Sequence, residues 1–327
     1  MTTWTQDVLG PAWEKTTLAL DRDAEGPVVA TLVRSVPDPD RIGSDAGGGP
    51  TRPAVLYVHG FNDYFFQTHL AEQWIAHGYD FYALDLRKCG RSLRPWQTPH
   101  YCADLTEYAP ELTGAAELIK GQLGHRRLVV MGHSTGGLTT SLWAHSLRRE
   151  SVVDALVLNS PWFDLNAPWF RRVVTTRLLD AFGPLEPRRV VSHGGSAYSQ
   201  HLHVAHGGRW DYDLSLKPAE GLLVRAGWLR AVRRGQARLA KGLDIAAPVL
   251  VCTASDSGPN TFDNPDLDRQ DTVLDVRQIS ARARKLGPDV TVVRIPGGIH
   301  DLALSAAGSR AAFFATTFGW LDGLELA

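Results

Sequence analysis

Apolar positions along this chain follow two rhythms. Short continuous runs occur at Ala54–Val58, Tyr79–Leu84, Leu128–Met131, Val152–Leu158, Pro248–Thr253 and Val290–Ile295. Such runs predict strands buried on both faces of a sheet. Between them lie segments of helical pattern: His69–His77 closed by Gly78, Leu105–Leu123, Leu138–Leu147, Val276–Lys285 and Ala307–Leu324. Strand alternating with helix predicts an α/β fold, a mostly parallel central sheet with helices on both faces. Two β-prone runs at the start, Thr16–Leu20 and Pro27–Val36, predict a hairpin. The Pro- and Gly-rich residues 37–53 predict a surface loop.

The alternation breaks at Pro161 and resumes near residue 245. The intervening stretch is rich in Trp, Arg, His and Gly. It has helical pieces at Trp169–Phe182 and Leu222–Leu239 and no run that reads as a buried strand. We expect residues 161–244 to form an inserted helical cap, with 1–160 and 245–327 forming the core.

The chain's 327 residues allow one large α/β domain with an insertion. The 44% apolar and 21% charged content is that of an ordinary globular protein. A net charge of −1 gives no electrostatic case for a nucleic-acid partner or an anionic membrane surface. No run approaches the roughly 20 apolar residues of a membrane span. The first residues lack the basic start and apolar stretch of a signal peptide. The three cysteines, Cys89, Cys102 and Cys252, lack metal-ligand spacing. Their odd, sparse set predicts a reducing compartment and hence a cytoplasmic location.

One stretch carries chemistry. Leu128–Met131 leads into Gly132-His133-Ser134-Thr135-Gly136, and a helical segment follows. Strand, G-x-S-x-G, helix is the pattern of a nucleophile elbow. A serine on so tight a turn takes a strained backbone, and side chains two residues before and after it would collide. The N–H of Thr135 is then left facing a reacting carbonyl.

A serine hydroxyl needs a base to become a nucleophile, and histidine needs an acid to orient it. With an elbow serine, the chain order is serine, acid, histidine. His300 lies in the loop after the last strand, and of the 12 histidines it alone has that place. His193, His201, His203 and His206 are expected as polar surface residues of the cap. His133 lies inside the elbow but points away from the base position. The acid follows the strand Pro248–Thr253. Asp271 is favoured, because Val273 and Leu274 would anchor its loop. Asp256, closest to the strand end, is the alternative, and Asp275 comes third, best suited to a helix N-cap. Residues 257–270 separate the first two candidates. Phe61, in the His-Gly loop after Ala54–Val58, is expected to donate its N–H beside that of Thr135 to an oxyanion. His59 is expected to be structural.

The pieces YVHGF (57–61), ALDLRKCGRS (83–92), GHSTGG (132–137), NSPW (159–162) and PGGIHDL (296–302) together resemble the α/β-hydrolase superfamily. Within it they resemble the serine aminopeptidase/monoglyceride lipase-like group, which includes lysophospholipase-like hydrolases. In that group the second piece reads D-x-R-G-x-G-x-S. Asp85, Arg87, Gly90 and Ser92 match, and Lys88 stands where a glycine is usual. The group's acid sits in D-x-V-V-D, which matches Asp271 to Asp275. It ordinarily follows its strand at once, so residues 255–270 are a departure.

The resemblance implies a serine hydrolase cleaving acylglycerol-like, lysophospholipid-like or small acyl esters without metal or organic cofactor. An aminopeptidase-type amide hydrolase and a non-catalytic binding protein are the alternatives. Trp162, Phe163, Trp169, Phe170 and Trp210 would either line an apolar mouth or pack the cap onto the sheet, and Phe65 and Phe66 are equally open. The arginine-rich run Val224–Arg238 reads as a solvated helix face or a site for an anionic head group.

Overall fold

The computed structural model describes residues 2–36, 52–165, 185–193 and 196–324. The chain opens with three antiparallel strands, β1 (Thr5–Asp7), β2 (Gly10–Asp23) and β3 (Gly26–Ser35). The predicted hairpin lies in β2 and β3. β2 extends well beyond the run Thr16–Leu20, because only scattered positions along it are buried and its ends carry no apolar signal.

The alternating part follows: β4 (Ala54–Val58), α1 (Thr68–Ala76), β5 (Asp80–Asp85), α2 (Ala109–Glu117), β6 (Leu128–His133), α3 (Thr135–Ser146) and β7 (Ala155–Asn159). Then come β8 (Val190–His193), α4 (Ala197–Leu202), β9 (Leu223–Arg225) and α5 (Ala226–Ala240). The chain closes with β10 (Val249–Ala254), α6 (Val276–Ala283), β11 (Val290–Ile295) and α7 (Ala307–Asp322). Nine strands form one sheet in the order β1-β2-β3-β5-β4-β6-β7-β10-β11, parallel from β5 to β11. β8 and β9 pair only with each other.

Side-chain alternation makes the two cores. In β4, Ala54, Leu56 and Val58 face one core while Val55 and Tyr57 face the other. In β6, Leu128 and Val130 face the first, and Val129 and Met131 the second. Leu138 of α3, Val232 of α5 and Ile279 of α6 cover the first face; Trp74 of α1 and Phe313 of α7 cover the second.

Three expectations are corrected, the start of α5, the start of α3 and the exposure of His203. β8 and β9 occupy a stretch predicted to hold no buried strand, and neither is buried. They are short and half-exposed, so they leave no apolar run, and α5 starts at Ala226 instead of Leu222. α3 starts at Thr135, before the predicted Leu138, because Gly136 and Gly137 pack against the β4 loop and Pro161 and become helical despite low propensity. His203 is buried: Nε2 bonds the Tyr212 carbonyl at 3.0 Å and Nδ1 accepts from the Ala205 N–H. His201 and His206 are exposed, and the expected helix Trp169–Phe182 lies outside the described residues.

The loop after β5 is fixed by buried charge. Asp85 accepts from the Phe65 and Arg91 N–H groups and from the Arg91 side chain, and Arg87 clasps Glu111. Lys88 has φ +60°, a left-handed conformation that explains why glycine is usual there. Its buried ammonium is held by Asp23 and by Glu25. Burial opposes charge on Glu25, but hydrogen bonds from Lys88, Thr98 and Arg188 outweigh it and hold the carboxyl at about 2.

The active edge depends on absent side chains. Ser134 has φ 52° and ψ −117°. A Cβ on Gly132 would lie 2.5 Å from Thr140 Oγ1. One on Gly136 would strike the carbonyls of Val58 and His59. Gly136→Ala is therefore expected to destabilise by about 1–3 kcal/mol, the range for overpacking, read as a lower urea midpoint at unchanged m. A second expectation concerns acid. A carboxylate with a lowered folded pKa stabilises above its unfolded value and loses that contribution as pH falls through the folded one. Wild-type stability should therefore decline from pH 4.5 toward about 2 more steeply than that of Glu25→Gln. Equal declines in thermal midpoint across that window would contradict the assignment.

Candidate active site

β4 and β6 are neighbours, yet the chain leaves β4 toward β5 and leaves β6 toward β7, in opposite directions. The reversal opens a crevice at the carboxyl ends of the two strands, where ligands bind in open α/β sheets. The β4 loop and the elbow meet there. A Cβ on Gly60 would lie 3.0 Å from that of Ser134. The Ser134 N–H donates to the Asn159 carbonyl, and the Ser134 carbonyl accepts from Gly137 and Trp162. The elbow is thus tied to the end of β7.

The structure brings together Ser134, His300 and Asp271. His300 Nε2 lies 3.0 Å from Ser134 Oγ, and Nδ1 lies 3.0 Å from Asp271 Oδ2. A carboxylate only accepts, so Nδ1 carries the proton and Nε2 faces the hydroxyl as acceptor. All three side chains are buried. Asp271 reaches the site although 257–270 intervene, because the detour closes on itself. The Asp271 N–H donates to the Asp256 carbonyl at 2.9 Å, and the Gly258 N–H donates to the Asp271 carbonyl at 3.2 Å. Asp271 Oδ1 then accepts from Val273 and Leu274 at 2.9 and 2.7 Å.

Asp256 and Asp275 do not join this set. The Asp256 side chain is exposed and accepts from Ser255 Oγ. Asp275 caps α6 through the Arg277 N–H. His133 bonds the Asn159 carbonyl through Nδ1, and burial pushes its pKa down, which keeps it neutral beside His300. His59 accepts from the Leu86 N–H on Nε2 and donates from Nδ1 to the Gly60 carbonyl at 2.7 Å. That carbonyl belongs to the peptide whose N–H is Phe61, so His59 fixes the orientation of this peptide.

A cavity of about 360 Å³ opens above Ser134. Phe61, Trp162, Leu165, Leu202, Val273 and Leu274 give it apolar walls. Asn62, Asp63, Lys217, Ser196, Ser199 and Asn260 give it polar ones. Thr135 also lines it. Lys217 Nζ meets Asp63 Oδ1 at 2.7 Å and lies over the rings of Phe66 and Tyr212. Of the aromatic residues singled out above, Trp162 is at the cavity, while Phe163 and Phe65 belong to the cores. Phe66 packs on Tyr212, and Trp210 stacks on His69 and bonds the Leu304 carbonyl. Trp169 and Phe170 lie outside the described residues. The arginine run is not simply solvated, since Arg233 reaches the buried Asp164 at 3.0 Å.

Several residues of the site left no sequence signal. Asp301 turns its carboxylate to Asn159 Nδ2 at 2.7 Å and Gln67 Nε2 at 3.3 Å. Burial would raise its pKa, but the charge on Lys217 and the hydrogen bonds from Asn159 and the Ala303 N–H hold it below the usual range. Lys217 and Asp63 pair across 154 positions, a separation no local pattern records. Among the described residues there is no cluster of three or more His, Cys, Asp or Glu arranged to hold a metal, and no helix long and apolar enough to cross a membrane.

Comparison with known proteins agrees with this architecture. The fold is similar to a soluble variant of monoglyceride lipase from Saccharomyces cerevisiae. The TM-score is 0.68 at 17% identity, over 94% of this chain and 95% of that one. It is also similar to monoacylglycerol lipase from Paleococcus ferrophilus, with a TM-score of 0.63 at 18% identity over 84% and 96%. In sequence, epoxide hydrolase 3 of Xenopus tropicalis is 32% identical over 117 residues, 36% of this chain and 30% of that protein. The alignment with human 1-acylglycerol-3-phosphate O-acyltransferase ABHD5 is 30% identical over 37% of this chain and 36% of that one. The chain thus spans about a third of the length of these curated relatives. The sequence profile of the serine aminopeptidase, S33 family (Hydrolase_4) matches residues 49–257, well over half of the chain. The chain is an α/β-hydrolase and belongs to the serine aminopeptidase, S33 family.

Proposed function

We propose that this protein is a serine hydrolase that cleaves carboxylic esters through an acyl-enzyme on Ser134. The observation that carries the reading is His300, bonded to the Ser134 hydroxyl by one ring nitrogen and to the buried Asp271 by the other. Ser134 Oγ attacks the ester carbonyl as His300 takes its proton. Asp271 holds the imidazole in the required tautomer and stabilises its cation. The N–H groups of Phe61 and Thr135 receive the oxyanion, and one such donor is worth about 10²–10³ in rate. His300 then protonates the departing alcohol, and water activated by the same imidazole releases the acid. The route calls on protein groups and water alone.

Residues 161–244 act as the cap that shapes the substrate. Trp162, Leu165, Tyr198, Leu202 and Lys217 from this stretch line the cavity over Ser134. Apolar walls interrupted by a few polar groups suit an ester with an apolar acyl part. The monoglyceride lipases of similar fold fit this class. An aminopeptidase would need a carboxylate to hold a free amine. Asp63 lines the cavity, but Lys217 already neutralises it, which favours an uncharged ester over an aminoacyl amide. The free thiols of Cys89, Cys102 and Cys252 fit a reducing compartment such as the cytoplasm.

Ser134→Ala is expected to abolish hydrolysis of p-nitrophenyl butyrate while leaving the circular dichroism spectrum unchanged. Near wild-type turnover would sink the scheme. Asp271→Asn should lower kcat by about 10⁴, the scale seen when a triad acid is neutralised, whereas Asp256→Asn should stay within about twofold, as for an exposed substitution away from the site. A panel pairing acyl esters with aminoacyl p-nitroanilides separates the two hydrolase readings, and faster cleavage of the anilides would reverse the order.

A further inference from the structure

Two hydrogen bonds hold the His300 ring at opposite corners, Nδ1 on Asp271 and Nε2 on Ser134. They define a line through the imidazole and leave its tilt about that line to whatever packs on its faces and edges. Two rings do so. His133 lies 4.9 Å away by ring centroids, and Tyr198 stands edge-on at 5.8 Å and 80°. Tyr198 comes from α4, in the stretch between β7 and β10 whose described strands, β8 and β9, stand outside the main sheet.

Tyr198 also grips the backbone. Its buried hydroxyl accepts from the Asp301 N–H at 3.0 Å, at the peptide that directly follows His300. The Asp301 carboxylate is committed to Asn159, Gln67 and the Ala303 N–H. The hydroxyl therefore satisfies a buried amide that would otherwise be orphaned, a substantial penalty in a protein interior.

Tyr198 is in turn held by the detour that precedes the acid. Asn260 Oδ1 accepts from the Tyr198 N–H at 2.9 Å, and Ser196 Oγ accepts from the Ser199 N–H at 3.1 Å, so two side chains cap the first turn of α4. Asn260 lies within residues 257–270, the segment that separates Asp271 from the end of β10. One segment thus delivers the acid and anchors the residue that braces the base.

We propose that Tyr198 is a positioning residue for His300, and that Asn260 acts through it. The function of the detour is then to couple α4 to the Asp271–His300 pair, so that the base is fully aligned only when α4 is docked. This inference rests on the ester-hydrolase reading for its kinetic arm alone.

Tyr198→Phe removes the hydroxyl and keeps the ring. Its kcat on p-nitrophenyl butyrate should fall about tenfold, within the ~10² that a 1 Å misplacement costs, with KM changed less than about threefold. Tyr198→Leu, which removes the ring as well, should fall further. The spectroscopic signature is the downfield proton resonance of the His300 Nδ1–H bonded to Asp271, read without substrate. It should broaden or move upfield in Tyr198→Phe. Asn260→Ala should repeat both effects more weakly, and Asn260→Asp, which keeps the acceptor, should restore them. If Tyr198→Phe does not fold, the Asn260 pair carries the test alone. A wild-type kcat and resonance in folded Tyr198→Phe would overturn the proposal. So would a rise in KM with kcat unchanged, which would make Tyr198 a substrate contact. If the wild-type protein hydrolyses no ester, the resonance still decides the positioning claim while the ester reading fails separately.

Discussion

The backbone of the β4 loop lies directly against the start of α3, and the rest of the site is arranged around that contact. It exists because Gly60, Gly132 and Gly136 present no side chain where a Cβ would meet Ser134, Thr140 and the Val58 and His59 carbonyls. The contact places Phe61 and Thr135 on one cavity and leaves Ser134 in a left-handed backbone conformation at its floor. Strain of this kind persists only where the surroundings over-determine it. Here they do so through hydrogen bonds from the elbow to Asn159, Gly137 and Trp162 and through the His59 bond to Gly60.

Around that contact the protein invests buried polarity in holding loops still. Asp85 organises the loop after β5, His59 fixes the peptide before Phe61, and Asp301 ties the His300 loop to Asn159 and Gln67. Each carboxylate is bonded to several donors, which is the condition for burying charge without penalty. Lys217 and Asp63 pair between the stretch preceding α5 and the β4 loop through Asp63 Oδ1, while Asp63 Oδ2 is buried without a partner.

What the sequence made legible follows from what leaves a local mark. Continuous apolar runs mark β4, β6 and β10, because a strand buried on both faces has no polar positions to interrupt it. Ser134 stands out because it directly follows β6, and His300 because it lies in the loop after β11, so chain order alone points to a common place. Asp271 was harder to read, since a long detour precedes it and only the apolar pair Val273 and Leu274 hints at an anchor. β8 and β9 left no mark, being short and half-exposed. The helical start of α3 at two glycines was set by packing against propensity. The burial of His203, the Lys217–Asp63 pair and the Tyr198 contact with Asp301 depend on chain segments that meet only in three dimensions.

The central claim is a covalent intermediate on one oxygen. Mixing the protein with excess p-nitrophenyl butyrate, quenching in acid within the first turnover and mapping peptides by mass spectrometry tests it directly. The account predicts a butyryl adduct on Ser134 that disappears as hydrolysis completes. Turnover of the ester with no adduct, or with an adduct on a different residue, would contradict it.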